Sequence, residues 1–338
     1  MVFKCSSCGS CMTYDFKGDT LKCPNCGNTD NPDIEYDNKE NFDLCPICGG
    51  QLNLGKYGSA VKCGYCDSYV VSDTRLGGDN TPYRIIPTTI TKKEMFELLT
   101  KKFGKYLCII PEIFSQSRLK EVIIEYVPYW VYRFGVRAVY NGVVKESVTT
   151  GNTTVTDTYN VSETWDLDMG NVPVDASDRM PDEILDALEP FDFKKGLDFK
   201  PEYLSGSNSE LFNHDSDFYK EEASYKVCDC VYEFIDDRIH EKFPHAVNIT
   251  DKKLRDETII NMRTLDRDYY LLPVYRYSYT FEDGKVLDYY VNGQTKEIYG
   301  TAPISKKRLW GAIAAIVTAF AGGAALITTF LMLIGGAV

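Results

Sequence analysis

Eight cysteines within the first sixty-six residues are spaced to hold metal. Cys5 and Cys8 are separated by two residues, as are Cys23 and Cys26, with fourteen residues between the pairs. Two such turns can present four thiolates to one tetrahedral ion, which is a zinc-ribbon pattern. The pattern recurs at Cys45, Cys48, Cys63 and Cys66 with the same fourteen-residue interval, each cysteine forty residues after its counterpart. The N-terminal region therefore reads as a tandem repeat. Gly9 and Gly49, Lys22 and Lys62, and Leu21 and Val61 keep the same offset. Cys11 falls opposite Gln51 and is read as a spare thiol rather than a ligand.

Disulfides are the alternative use of such cysteines. The opening "MVFKCSSCGS" has no apolar stretch to direct export, and in a reducing compartment the thiols are expected to bind zinc. Segments this short cannot bury enough apolar surface to fold alone. Structural zinc, at about 10–16 kcal/mol per site, would supply what is missing. Four cysteines per ion leave no coordination position for a substrate, so two structural Zn2+ are expected and no catalytic one.

The other end of the chain, Leu309 to Val338, carries no charge. That length is read as a single transmembrane helix over 309–334, with a favourable insertion free energy of roughly −5 kcal/mol from its large apolar residues. Lys306, Lys307 and Arg308 precede it, which predicts a single-pass cell-membrane protein whose N-terminal bulk is cytoplasmic. Within the run, Gly311, Ala315, Ala319 and Gly323 recur every four residues and would permit a homo-oligomer through helix pairing.

Between the two ends, "DTRLGGDNTPY" reads as a linker. Thr91 with Glu94 marks a capping box that opens a helix ending near Gly104. Two β-branched, aromatic segments, "EVIIEYVPYWVYRFGVRAVYNG" and "VTTGNTTVTDTYNVSETWDLD", follow and predict an antiparallel sheet. A short helix with Pro181 in its first turn comes next, then a long helix from about Asp215 to His240. Strands return with turns at Asp283-Gly284 and Asn292-Gly293. "LPVYRY" echoes "VPYWVYR", which suggests two related β units.

The fold class expected is therefore α+β: two tandem zinc ribbons, a mixed antiparallel-sheet plus helix domain, and one C-terminal transmembrane helix. The boundaries are ribbon 1 over 1–40, ribbon 2 over 41–72, a linker over 73–82, the α+β domain over 83–305, and the membrane helix.

Charge separates the two common uses of a zinc ribbon. Residues 1–80 hold seven Lys and Arg against eleven Asp and Glu, and each Zn(Cys)4 centre adds further negative charge. With the whole chain at −12, nucleic-acid binding is disfavoured. Phosphate-loop, HExxH and GxSxG patterns are absent from the sequence, and its three histidines are isolated, so no catalytic residue is assigned. Cys228 and Cys230, two apart in the long helix, point to different sides and are not read as a redox pair.

The tandem ribbons, "YVPYWVY", "VPVDAS" followed by "MPDEILDALEPFDF", "PEYLSG", "LLPVYRY" and "VNGQTKEIYG" together resemble the membrane-anchored TFIIB-type zinc-ribbon proteins of Firmicutes, often labelled primosomal helicase-like. The resemblance implies a cytoplasmic domain on a membrane anchor, with SPFH-domain, virion-core-like and PspA-type envelope-stress proteins as candidate partners. With no catalytic pattern in the sequence, the leading expectation is a non-enzymatic scaffold or adaptor at the cytoplasmic membrane face. The alternative expectation is a membrane-tethered nucleic-acid-binding ribbon protein.

Overall fold

The computed structural model describes residues 1–29, 33–35, 43–103, 111–281 and 284–302, with Trp310, Gly311, Ala314 and Thr318 beyond them. In chain order the strands begin with β1 (Val2–Lys4), β2 (Thr13–Asp15), β3 (Thr20–Lys22), β4 (Asp33–Glu35), β5 (Gly58–Lys62) and β6 (Tyr69–Val71). After β7 (Arg84–Ile85) and α1 (Lys92–Phe103) come the long β8 (Ile123–Thr150) and β9 (Thr153–Asp175). Then follow α2 (Asp182–Leu188), β10 (Leu197–Asp198), β11 (Asn208–Glu210), α3 (Ser216–Lys242) and α4 (Asp251–Asp256). The chain continues through β12 (Thr258–Thr280), β13 (Val286–Asn292) and β14 (Ile298–Tyr299).

Contacts divide the chain into two units. The first is Met1–Pro87, Tyr126–Asp182 and Asp192–Leu272; the second is Thr88–Glu125, Glu183–Phe191 and Pro273–Val338.

The first unit contains a mixed sheet of strand order β10-β7-β12-β8-β11-β5-β6, with β9 hydrogen-bonded to β8. β7 runs parallel to β12, and β8 and β9 form a long antiparallel hairpin from Tyr129↔Asp175 to Thr150↔Thr153. Alternation along β8 points Tyr132, Phe134, Val136, Ala138 and Tyr140 to one buried face. On α3, Ala223, Val227, Val231, Ile235 and Ile239 recur every four residues and form the matching buried stripe. The helix starts where the Asp215 carboxylate accepts from the N–H groups of Asp217 and Phe218.

In the second unit α1 opens with a reciprocal capping box. The Thr91 N–H donates to the Glu94 carboxylate at 2.6 Å, and the Glu94 N–H donates to Thr91 Oγ1 at 3.2 Å. The buried Met95, Phe96 and Leu99 then pack with Phe114, Tyr277 and Tyr289 in an aromatic core. Residues 274–280 of β12 pair antiparallel with β13, which pairs with β14.

Pro128 of β8 and Pro273 of β12 make the same contact. Pro128 O accepts from the Ala176 N–H at 2.9 Å, and Pro273 O accepts from the Gly293 N–H at 2.8 Å. In both hairpins the residue after proline faces the end of its partner strand, Tyr129↔Asp175 and Val274↔Asn292.

Two expectations need correction. The fold class included a transmembrane helix, but no helix among the described residues is long and apolar enough to cross a membrane. The longest described helix, the 27-residue α3, carries charge along its length, which forbids burial in hydrocarbon. Of the expected span 309–334, only Trp310, Gly311, Ala314 and Thr318 are described, and the remainder, including Ala315, Ala319 and Gly323, lies outside the described residues. The basic cluster Lys306 to Arg308 and Asp283 also lie outside them.

The second correction concerns the linker at 73–82. Leu76 is buried, and Arg75 Nη1 donates to the carbonyls of Gly55, Lys56 and Gly58 at 2.8–3.4 Å. Glycine and asparagine permit a turn here, but the arginine ties that turn to ribbon 2, so the segment is not a free joint.

Candidate metal centres

Each ribbon is built from two turns of one design. In all four, the N–H of the first cysteine donates to the carbonyl five residues on: Cys5 to Ser10, Cys23 to Asn28, Cys45 to Gly50, and Cys63 to Ser68, at 2.7–2.9 Å. The N–H four residues on returns to the carbonyl of that cysteine, from Gly9, Gly27, Gly49 and Asp67 at 2.8–3.0 Å. This closure requires a left-handed residue at the fourth step, with φ of +71°, +77°, +69° and +59°. Glycine fills it three times, and aspartate is among the side chains that tolerate it best. The Cys-x-x-Cys-Gly string signals this position; Gly27 and Asp67 were the members that repeat alignment alone did not bring out.

The turns bring the predicted ligands together as two sets, Cys5, Cys8, Cys23, Cys26 and Cys45, Cys48, Cys63, Cys66, with all sulphurs of a set within 4.8 Å of one another. Closest sulphur separations are 3.6 Å for Cys5–Cys26 and Cys8–Cys23, 3.7 Å for Cys45–Cys66 and 3.8 Å for Cys48–Cys63. Four sulphurs placed tetrahedrally at about 2.3 Å from a zinc ion stand about 3.8 Å apart, so the geometry fits such an ion. The first cysteine of every turn is buried and the second lies toward the surface.

Hydrogen bonds to sulphur also favour thiolates. The Ser10 hydroxyl and N–H lower Cys8 to about 6. Burial pushes Cys66 up, but the Ser68 hydroxyl and N–H outweigh it and bring the thiol to about 7. Without an ion, four adjacent thiols cannot all ionise. The Asn28 N–H pulls Cys26 down, yet the sulphurs of Cys5 and Cys8 drive it up to about 12, and burial takes Cys45 to about 12. A bound dication reverses that repulsion and makes all four thiolates favourable.

Cys11 belongs to neither set. It bridges Lys4 as Gln51 bridges Leu44, which keeps the forty-residue correspondence in three dimensions. Cys228 is half-buried and Cys230 exposed, and burial raises both thiols.

Sequence reading missed the seat of the ribbons. Ribbon 2 contributes β5 to the large sheet through Ser209↔Ala60 and Glu210↔Gly58, and the Lys62 N–H donates to Asn208 Oδ1 at 3.0 Å. Ribbon 1 docks beside it: the Tyr14 N–H donates to Ser205 O at 2.8 Å, and Ser205 Oγ donates to Met12 O at 2.7 Å. Tyr203 packs its ring on Tyr14 and Phe16 at 4.7 and 5.4 Å. Gly206 has φ +101°, and a Cβ there would lie 2.8 Å from Thr13 Cβ, so no other residue fits. The motif "PEYLSG" thus holds ribbon 1. The ribbons also join each other, through the Val71 N–H to Met1 O at 2.9 Å and the packing of Val2 with Leu52, Leu54 and Val70.

Among known proteins, the chain is 31% identical over 354 residues to the uncharacterized protein YdjG of Bacillus subtilis (strain 168), an alignment covering 99% of this chain and 98% of that protein. No family model and no solved structure matches the chain.

Proposed function

We propose a docking role for this chain, which belongs to the family of the Bacillus subtilis protein YdjG: two zinc-held ribbons serve as a rigid adaptor surface for partner proteins, with no chemistry of their own. The observation that carries this reading is the closed sulphur sets on a fixed seat. Every coordination position is filled by cysteine, and both ribbons are joined by main-chain hydrogen bonds to residues 205–211. Zinc is the ion that four thiolates at this spacing favour in a reducing compartment.

Ribbon 2 displays an anchor for such docking. Tyr65, inside its second turn, is 74% exposed, and Gly50 leaves room for the ring, since a Cβ there would come within 2.5 Å of it. Leu44 stands exposed on the same ribbon. A large aromatic side chain on a stiff turn is the kind of residue that dominates protein interfaces. The acidic balance of the region disfavours phosphate backbones.

The test is affinity capture with the full chain and with Tyr65→Ala, using the SPFH-domain and PspA-type proteins named by the resemblance as candidates. The docking reading expects capture to fall at least about tenfold while metal content stays at two ions, as for an interface hot spot. Unchanged capture, together with a salt-dependent gel shift of DNA or RNA by the same protein, would replace it with the nucleic-acid reading.

A further inference from the structure

A second site lies in the first unit, at the motif "VPVDAS". A pocket of about 270 Å3 opens where β9 ends, with carboxylates from Asp175, Asp178, Asp182 and Glu222 and a wall formed by His214 and Phe218. The rings of His214 and Phe218 stack at 4.1 Å, and Phe218 is 63% exposed.

Asp175 is the unusual member. It is 9% exposed, and among the described residues its carboxylate takes no hydrogen bond from another side chain or from the main chain of another residue. A buried charge left so is costly, and nearby groups show the ordinary remedy. Glu210, also buried, accepts from the Ser177 hydroxyl and faces Arg179 at 3.8 Å. Lys226, the cation nearest Asp175 in effect, donates to Pro173 O and faces Glu222 at 3.7 Å. Burial first, then the charges of Asp182 and Glu222, hold Asp175 up at about 7.

The matching place in the other hairpin shows what is missing. Asn292 occupies the register position there that Asp175 occupies here, each opposite the residue after a strand proline. Asn292 is fully buried and fully satisfied: its Nδ2 donates to Leu188 O at 2.8 Å, and its Oδ1 accepts from the N–H groups of Gln294 and Thr295. Asp175 has an aspartate's two acceptors, a pocket in front of them, and no hydrogen-bond donor from another of the described residues. A carboxylate buried among other carboxylates favours a positively charged donor.

Two chemistries could supply one. A metal ion would need three ligand atoms drawn close together, and among the described residues only the cysteine sets meet that condition. An organic cation needs spaced carboxylates and an aromatic wall, which is what this pocket has. Its volume suits one side chain rather than a larger ligand.

We propose that this pocket receives the guanidinium or ammonium group of an arginine or lysine presented by the docking partner, with Asp175 as buried acceptor, Asp178 and Asp182 at the rim, and Phe218 as the wall. The proposal rests on the docking reading and adds to it the charge of the partner's anchor.

The test uses N-acetyl-arginine methylamide and N-acetyl-lysine methylamide, titrated into the full chain while the His214 and Tyr219 resonances are followed. Saturable shifts are expected, with affinity falling at least about tenfold in Asp175→Asn, in line with the loss of a charged hydrogen bond. Should Asp175→Asn melt early, Asp178→Asn with Asp182→Asn at the exposed rim must still weaken binding at least about threefold. Equal binding by these variants, equal binding of the norleucine analogue, or occupation of the pocket by magnesium that arginine does not displace would each overturn the proposal. The docking reading fails separately: arginine binding here with no loss of partner in Tyr65→Ala removes the ribbon interface and leaves the pocket. Loss of partner in Tyr65→Ala without resonance shifts removes the pocket alone.

Discussion

In the ribbons Val2, Leu52, Leu54 and Val70 cluster around the sulphurs of Cys45 and Cys63 and Phe3 is the single buried ring among the described ribbon residues, whereas the second unit closes over a set of rings. Phe96, Phe103, Phe114, Tyr277 and Tyr289 lie 4.9–6.4 Å apart in a continuous set of edge and stacked contacts. A chain that buries large rings can hold itself together by removing apolar area from water, at about 1.5–3 kcal/mol per fully buried side chain. Ribbons that bury mostly small side chains gain less from this, and their sulphur sets take over part of that task. The contrast teaches that the conserving force differs by region: ion chemistry in one, packing in the other.

Removing metal should break the comparison most visibly. Stripping both sites with a strong chelator withdraws about 10–16 kcal/mol per ion, so ribbon amides should lose hydrogen-exchange protection while the near-ultraviolet signal of the aromatic core persists. Because 73–82 is fastened to ribbon 2 and β5 belongs to the sheet, the loss should spread to β11, seen as lost protection of Ser209 and Glu210. Acid acts in the same direction. Protons compete for the thiolates, so metal affinity should fall as pH is lowered, with the metal leaving before the aromatic core melts.

The converse change attacks packing. Phe96→Ala empties a site that is 1% exposed and should cost about 3–5 kcal/mol, measured by denaturant unfolding, with two ions still bound. A smaller effect belongs to the caps. Thr91→Ala or Asp215→Ala should each cost about 1 kcal/mol, lowering the midpoint of unfolding without touching metal content. Smallest of all, Cys11→Ser should leave both stability and metal stoichiometry unchanged, since the sulphur lies outside both sets.

The features legible in the sequence were those written locally. Cysteine spacing fixed all eight sulphurs of the two sets, because the turn that joins Cys5 to Cys8 spans only a few residues. The Thr91–Glu94 box and the Asp215 start of α3 were readable for the same reason. The seat of the ribbons was not, since Ser209 meets Ala60, and Ser205 meets Met12, across long stretches of chain with no local mark of the pairing. The glycines and asparagine of 73–82 suggested freedom, and only the three carbonyls gathered by Arg75 show that the turn is tied down. Composition likewise suggested a membrane helix over 309–334, but no helix among the described residues is long and apolar enough to cross a membrane, and most of that span lies outside them. Asp175 was visible only as part of a motif, because its burial and the lack of a donor among the described residues depend on distant elements.

The central claim is that the ribbons are closed zinc sites on a folded seat, and native mass spectrometry combined with thiol alkylation tests it directly. Full-length protein never exposed to chelator should carry two zinc ions per chain, with Cys5, Cys8, Cys23, Cys26, Cys45, Cys48, Cys63 and Cys66 protected and alkylation confined to the remaining four cysteines. Chains carrying one ion or none, or alkylation of the eight at the rate of Cys11, would contradict the account.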